Sequence, residues 1–336
     1  MKSLYKNSVI VILLFGTAIY LPSCKKEATP PTVTTSNVSD ITQTTASAGG
    51  AVTDDGGADV TDFGVCWSAS PNPTISSTKT SNGKGTGSFT SSITGLVIGT
   101  TYHIRAYATN SVGTAYGDDM TFATTITGMT GIVSDRDGNV YHSIGIGYQM
   151  WMVENLKTTK YNDGTAITNV TDNAGWPSEP TTDGYCWYNN DVTNKTPYGA
   201  LYNVIAVNND KLCPVGWHVA TNDDWHKMIL FLDPNATQGI DESYIAGGMV
   251  KESGTVHWDD INGAYATNES GFTALPGGIR YTDPFGFAQL GNNANYWSAG
   301  SGYEVRLLIS GNQGIEKKPG AFENRGNGNS VRCIKN

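Results

Sequence analysis

Apolar and polar positions alternate in short bursts through the first third of the chain. In Asp62–Trp67, Phe63, Val65 and Trp67 fall on one face and Cys66 on the other. In Tyr102–Thr109, Tyr102, Ile104, Ala106 and Ala108 oppose His103, Arg105, Tyr107 and Thr109. A period of two is the signature of a strand with one buried face. Clusters of Gly, Asn, Pro and Ser separate these bursts, which predicts a sandwich of short strands over residues 33–125. Further on the period changes. Trp225, Met228, Ile229 and Leu232 form one helical stripe, Thr221 can cap it with Asp224 three residues later, and Pro234 stops it. A weaker helix is predicted over Asp241–Lys251, disturbed by Gly247-Gly248. The rest of residues 129–336 reads as short strands and long polar loops.

One apolar run does not alternate. Val9–Ile19 follows Lys2 and Lys6 and is shorter than the ~20 residues that span a bilayer. It leads into Leu21-Pro22-Ser23-Cys24, which resembles the lipobox of bacterial lipoproteins. That resemblance implies removal of residues 1–23, acylation of Cys24 and a membrane partner through the lipid. Residues 24–32, rich in Thr and Pro, read as a solvated tether. Lys25 stands where the resemblance associates aspartate with inner-membrane retention, so an outer-membrane envelope location is expected, with either face open.

Composition sharpens this picture. The 336 residues carry 21 basic and 30 acidic side chains, and losing Lys2 and Lys6 with the leader would take the balance from −9 to −11. Nucleic-acid partners are excluded by the missing basic footprint. Of the 8 tryptophans, all but Trp67 lie beyond Gly128, so the aromatic content belongs to the second part.

Two longer resemblances follow. Leu96-Val97-Ile98-Gly99-Thr100-Thr101-Tyr102 and Arg105-Ala106-Tyr107-Ala108-Thr109-Asn110 resemble the tyrosine corner and penultimate strand of fibronectin type III domains, which implies a stalk-like immunoglobulin-type sandwich. In the second part, Gln149-Met150-Trp151-Met152-Val153-Glu154-Asn155-Leu156 and Leu212-Cys213-Pro214-Val215-Gly216-Trp217-His218 resemble the Fibrobacter succinogenes major paralogous domain. Asn268–Gly278, Tyr296-Trp297-Ser298-Ala299 and the closing Ser330-Val331-Arg332-Cys333 continue the likeness in the family's order. The resemblance implies an α+β C-type-lectin-like fold, related to that of formylglycine-generating enzymes, and no particular activity. The expected architecture is thus an all-β immunoglobulin-like sandwich followed by an α+β C-type-lectin-like domain.

Candidate chemistry is sparse. Cys213 and Cys333 stand near the two ends of the lectin-like core and are expected to pair in an oxidising compartment, leaving Cys66 and Cys186 as buried thiols. No CxxC, HExxH, GxSxG or phosphate loop occurs. Asp135–Asn139 lacks the spacing of a calcium loop and reads as a hairpin turn. Trp297-Ser298-Ala299 lacks the amide and carboxylate that calcium lectins place after this tryptophan, so neither a metal nor a cofactor is expected. His218 and His226 flank the helix start and read as packing residues. What remains is aromatic and polar: Trp258-Asp259-Asp260, Arg280-Tyr281-Thr282-Asp283 and Tyr296-Trp297. Exposed rings beside carboxylates and amides hold sugars. Trp258, Asp259, Arg280, Tyr281 and Asp283 are therefore the expected ligand residues, for a glycan or a surface polymer or protein, with Trp297 in the core. Arg280 reads equally as a structural fork to Asp283 or to a backbone carbonyl.

Overall fold

A computed structural model describes residues 27–236, 242–259, 265–300, 304–318 and 325–336. Cys24 and Asp260 lie outside these residues. Eight strands build the first part: β1 (Thr32–Thr35), β2 (Thr45–Asp54), β3 (Asp62–Ser68), β4 (Thr78–Lys79), β5 (Gly87–Thr94), β6 (Thr101–Thr109), β7 (Thr114–Tyr116) and β8 (Met120–Ala123). They form two antiparallel sheets, β1-β2-β5 and β4-β3-β6-β7, with β8 also pairing β6. Ala46, Ala48 and Ile93 from one sheet meet Val65, Trp67, Ile104 and Phe122 from the other in a shared core. Tyr102 accepts a hydrogen bond from the Val97 backbone N–H at 3.0 Å, closing the corner before β6.

The alternation is less clean than the sequence pattern predicts. Tyr107 and Cys66, on the faces expected to be polar, are fully buried. The segment from Pro73 to Thr80 covers that outer face: the Cys66 thiol donates to Pro73 O, and the Tyr107 hydroxyl lies within hydrogen-bond reach of Asp62 Oδ2 and Thr80 O.

The second part begins with a hairpin of β9 (Thr130–Ser134) and β10 (Val140–Ile146). Its turn is tied by Asp135, whose Oδ1 accepts from the N–H groups of Asp137 and Asn139, with Gly138 at φ 80°. Both Asp135 and Asp137 are engaged by protein donors: Asp135 Oδ2 accepts from Tyr141, and Asp137 accepts from Thr159 and pairs with Lys160. Next come β11 (Gln149–Met152), β12 (Tyr185–Cys186), the single turn α1 (Lys195–Tyr198), β13 (Leu201–Tyr202), the single turn α2 (Val204–Val207) and β14 (Trp217–Val219). The chain continues through α3 (Asn222–Leu232), α4 (Ala246–Val250), β15 (Gly277–Arg280), β16 (Phe287–Leu290), β17 (Asn293–Trp297), β18 (Val305–Ile309), β19 (Glu316–Lys318) and β20 (Cys333–Lys335). Two five-stranded sheets result, β14-β20-β11-β10-β9 and β16-β15-β17-β18-β19. No helix among the described residues is long and apolar enough to cross a membrane.

Helix α3 starts where Thr221 predicts, in a capping box with Asp224. Its stripe of Trp225, Met228 and Ile229 fills the space between the sheets, against Trp151, Phe272, Ala294, Tyr296 and Ile334. The predicted second helix shrinks to α4. The reason is contact: a Cβ on Gly247 would sit 1.9 Å from Gly314 O, and one on Gly248 2.4 Å from Tyr265 O. These glycines admit neighbouring backbone rather than extend a helix. On the other side of the second part a separate core gathers Tyr141, Tyr202, Trp217, Trp297 and the bridged Cys213–Cys333 pair.

The two parts meet along the linker. Thr125 N–H donates to Thr42 O, while Ile126 and Gly128 donate to Gly147 O and Gly145 O. A Cβ on Gly145 would lie 1.9 Å from Ile126 O, so the linker runs hard against the β10 backbone.

Candidate functional site

The expected ligand residues are scattered. Trp258 is 2% exposed, its Nε1 donates to Ala274 O at 3.0 Å, and the Lys251 ammonium lies 5.1 Å from its ring centroid. It is therefore a core residue, not an exposed stacking platform: the segment around Ala274 covers the ring. Arg280 is fully buried; its Nη2 donates to Asp172 O (3.1 Å) and Asn173 Oδ1 (2.9 Å), and its guanidinium lies over Phe287 and Trp176. It anchors the 172–173 loop through one guanidinium nitrogen, and Asp283 has no part in it. Tyr281 is partly exposed, with its hydroxyl accepting from Gln289 Nε2 at 3.2 Å. Asp259 and Asp283 are both exposed. Asp259 lies beside Gly291 and Asn292 at the base of the β15–β16 hairpin, whereas Tyr281 and Asp283 stand at its tip. The four-residue strand between them spans roughly 13 Å. These five residues do not make one site. Trp297 is a core residue, its Nε1 donating to Tyr202 O at 2.7 Å.

The thiols are chemically quiet. Cys186 and Cys66 are free and buried, and burial pushes their thiols up to about 12 and about 11, so neither supplies a thiolate.

Polar side chains converge instead on the exposed side of α3. The capping box fixes Asp224 at the helix start, with its Oδ2 accepting from Thr221 N (2.9 Å) and Thr221 Oγ1 (2.6 Å). Gln149 Nε2 donates to Oδ1 at 3.2 Å, and His218 Nε2 donates to Oδ2 at 3.0 Å. The other ring nitrogen of His218 lies 2.6 Å from Asn336 Oδ1. Burial works to raise the Asp224 carboxyl, but the bonds from Thr221 and His218 outweigh it and leave it below its ordinary 3.8. A carboxyl depressed in the folded state stabilises fully above its unfolded value and loses that contribution as pH falls through the folded one. Asp224→Asn should therefore lower stability by ~1 kcal/mol at neutral pH. The gap to wild type should narrow as pH drops below 3.8, which acid titration of the unfolding midpoint would follow. A gap that stays constant into acid would refute the carboxylate's role.

Beside this cluster, two rings stay exposed. Tyr148 is 54% exposed in the β10–β11 turn, and Phe231 is 38% exposed near the end of α3. A Cβ on Gly147 would lie 2.9 Å from the Phe231 ring, so the turn lies directly on that ring. Together with Leu230, Ile334 and Lys335 these groups line a cavity of about 760 Å³. A second cavity of about 460 Å³ shares His218 and continues past Asn208, Asp210 and Gly300. A third, of about 470 Å³, shares Phe231 and continues to Thr42, Gln43 and Thr127 at the linker. The helical stripe carried a signal for this groove. Phe231 is an apolar residue off the buried face of an amphipathic helix, and such a residue needs another reason to be there.

Fold and groove together define a mostly β protein in two parts, the second closed by a disulfide around tryptophan-rich cores. The chain belongs to the Fibrobacter succinogenes major domain family, whose model matches residues 144–335. Strand β9 and the first residues of β10 precede the matched stretch but pair into its sheet. Among solved structures, the sensor domain of an anti-sigma factor from Pseudobacteroides cellulosolvens is similar at 19% identity and a TM-score of 0.22, covering 29% of this chain and 97% of that one. A crystal structure of titin domains is similar at 22% identity and a TM-score of 0.21, covering 28% of this chain and 31% of that one. No curated protein sequence matches the chain.

Proposed function

We propose that the chain is a lipid-anchored protein of the cell envelope, in which a fibronectin type III-like stalk carries a C-type-lectin-like domain. That domain binds a glycan, or a surface polymer or protein, without metal and without turnover. The observation that carries the reading is the groove on α3, where fixed hydrogen-bonding groups sit beside exposed rings. The anchor rests on the apolar run and Ser23-Cys24, and each buried methylene of an acyl chain adds ~0.8 kcal/mol of membrane affinity. The alternative, a formylglycine-generating type of enzyme, needs reactive cysteines. Cys213 and Cys333 are bridged to each other and Cys186 is a buried, protonated thiol, which weighs against it. A purely adhesive role with no discrete ligand is the remaining reading.

Two measurements on the full chain test this. Cys24→Ala should leave a precursor that no longer partitions into detergent as the processed form does. A glycan and surface-polymer array should give hits that persist in EDTA. Loss of those hits on chelation, or turnover traced to Cys186, would falsify the proposal.

A further inference from the structure

The three cavities lie side by side along α3, each sharing a lining residue with the next. Phe231 belongs to the cavity at the linker and to the central one, and His218 to the central one and the far one. From Thr221 to Phe231 the helix advances roughly 15 Å, and the groove continues past both ends. A ligand that reaches all three is extended.

The lining selects the chemistry of the occupant. Tyr148 and the part of Phe231 left open by the turn offer exposed aromatic surface, which suits the C–H faces of sugar rings as well as any apolar surface. Between them and the far end stand groups already held in place: Gln149 and His218 bonded to Asp224, and Asn336 against His218. Donors and acceptors fixed before binding cost little ordering entropy when a hydroxyl-rich ligand arrives. Helix α3 lines the groove with side chains only, its backbone groups being used inside the helix. The charges are mixed: Asp210 and Asp224 against Lys227 and Lys335, with Lys227 already paired to Asp223. A chain with net charge −9 and a groove of mixed sign gives a polyanion no advantage.

We infer that the groove running along α3 from the linker to Asp210 binds a linear, neutral oligosaccharide, stacked on Tyr148 and Phe231 and hydrogen-bonded by the free amide atoms of Gln149 and Asn336, with His218 holding Asn336 in place. This rests on the binding role proposed above and gives it a surface and a ligand class. Because the groove reaches Thr42 and Gln43, the first part of the chain supplies one wall and is more than a spacer.

The test is calorimetry on the full chain in detergent. The probes are neutral linear hexasaccharides of β-1,4-glucan, β-1,4-mannan and β-1,3-glucan, the matching disaccharides, and a polyuronate of equal length. At least one neutral hexasaccharide should bind, with its disaccharide tenfold weaker or worse. Tyr148→Ala and Phe231→Ala should each weaken binding about tenfold or more with unchanged thermal midpoints, whereas Tyr281→Ala, on the β15–β16 hairpin, should change nothing. If Phe231→Ala lowers the midpoint, Phe231→Leu keeps the bulk, removes the flat ring and carries the test. Binding that survives both groove variants but is lost in Tyr281→Ala would overturn the groove and leave glycan recognition standing. Tighter binding of the polyuronate, or equal binding of di- and hexasaccharide, would overturn the ligand class. No binding of any probe would overturn this inference alone, because the array over wider surface polymers and proteins decides the parent reading separately.

Discussion

Arg332→Ala should cost ~3–5 kcal/mol and melt the second part at a denaturant midpoint well below that of wild type. The guanidinium is fully buried, and every edge of its fork is used. Nε donates to Asn155 Oδ1 at 2.8 Å, Nη1 to Met152 O and Phe272 O at 2.9 and 2.7 Å, and Nη2 to Thr273 O at 2.8 Å. Its flat face lies 4.3 Å from the Phe272 ring centroid and 5.4 Å from that of Tyr296. Three loops and strands otherwise distant in sequence are thus tied to β20 by one side chain. Truncation strands several buried acceptors, each worth ~1–3 kcal/mol when left unpaired, and opens a cavity as well. Arg332→Lys keeps the charge but cannot reproduce the planar fork, so it should recover only part of the loss. Tryptophan fluorescence reads the right transition, since all the tryptophans but Trp67 lie in the second part. A loss below ~1 kcal/mol for Arg332→Ala would contradict this network's weight in the fold.

Removing the Cys213–Cys333 bridge should cost up to ~5 kcal/mol. The two residues are 120 apart in sequence, so their crosslink constrains most of the second part, and a chain-entropy account of so long a loop gives ~4.9 kcal/mol. The bond also pins β20, which runs between β14 and β11 in its sheet. The double variant Cys213→Ala, Cys333→Ala should show the loss in both oxidised and reduced buffer. Wild type should match it only when reduced. Cys66 and Cys186 serve as an internal gauge, because both thiols are buried and should react with a thiol reagent only as their surroundings unfold. If reduction leaves the midpoint of wild type where it was, the bridge contributes little and the packing around Trp217 and Trp297 carries the domain.

Local chemistry was legible where a few neighbouring residues decide the outcome. The start of α3 needs only Thr221, Asp224 and a stripe of apolar residues, all within four turns, and the hairpin at Asp135–Asn139 needs only a short side chain and a glycine. The strand faces around Val65 and Ile104 follow from alternation alone. The same alternation misled at Cys66 and Tyr107, because the Pro73–Thr80 segment, which touches them from 7 and 27 residues away, folds over their face. Period-two patterns report which faces differ, not whether a distant loop covers the second one.

The candidate site shows the same division. By itself the sequence determined the kinds of element present, the family to which the second part belongs, the concentration of tryptophans there and the lack of CxxC, HExxH, GxSxG and phosphate-loop motifs, all of which depend on residue identity and near-neighbour spacing. It could not decide which rings face water. Trp258 and Arg280 look like sugar-binding residues on paper, yet the loops through Ala274 and Asp172 bury them, and those loops are 16 and 108 residues away. Phe231 stands out in the sequence only as an apolar residue off the helical stripe, and it meets the β10–β11 turn of Tyr148 only because that turn packs on the exposed flank of α3. Burial is a property of the whole packed chain, set by contacts between segments far apart in sequence, and so the location of the groove belongs to the tertiary structure alone.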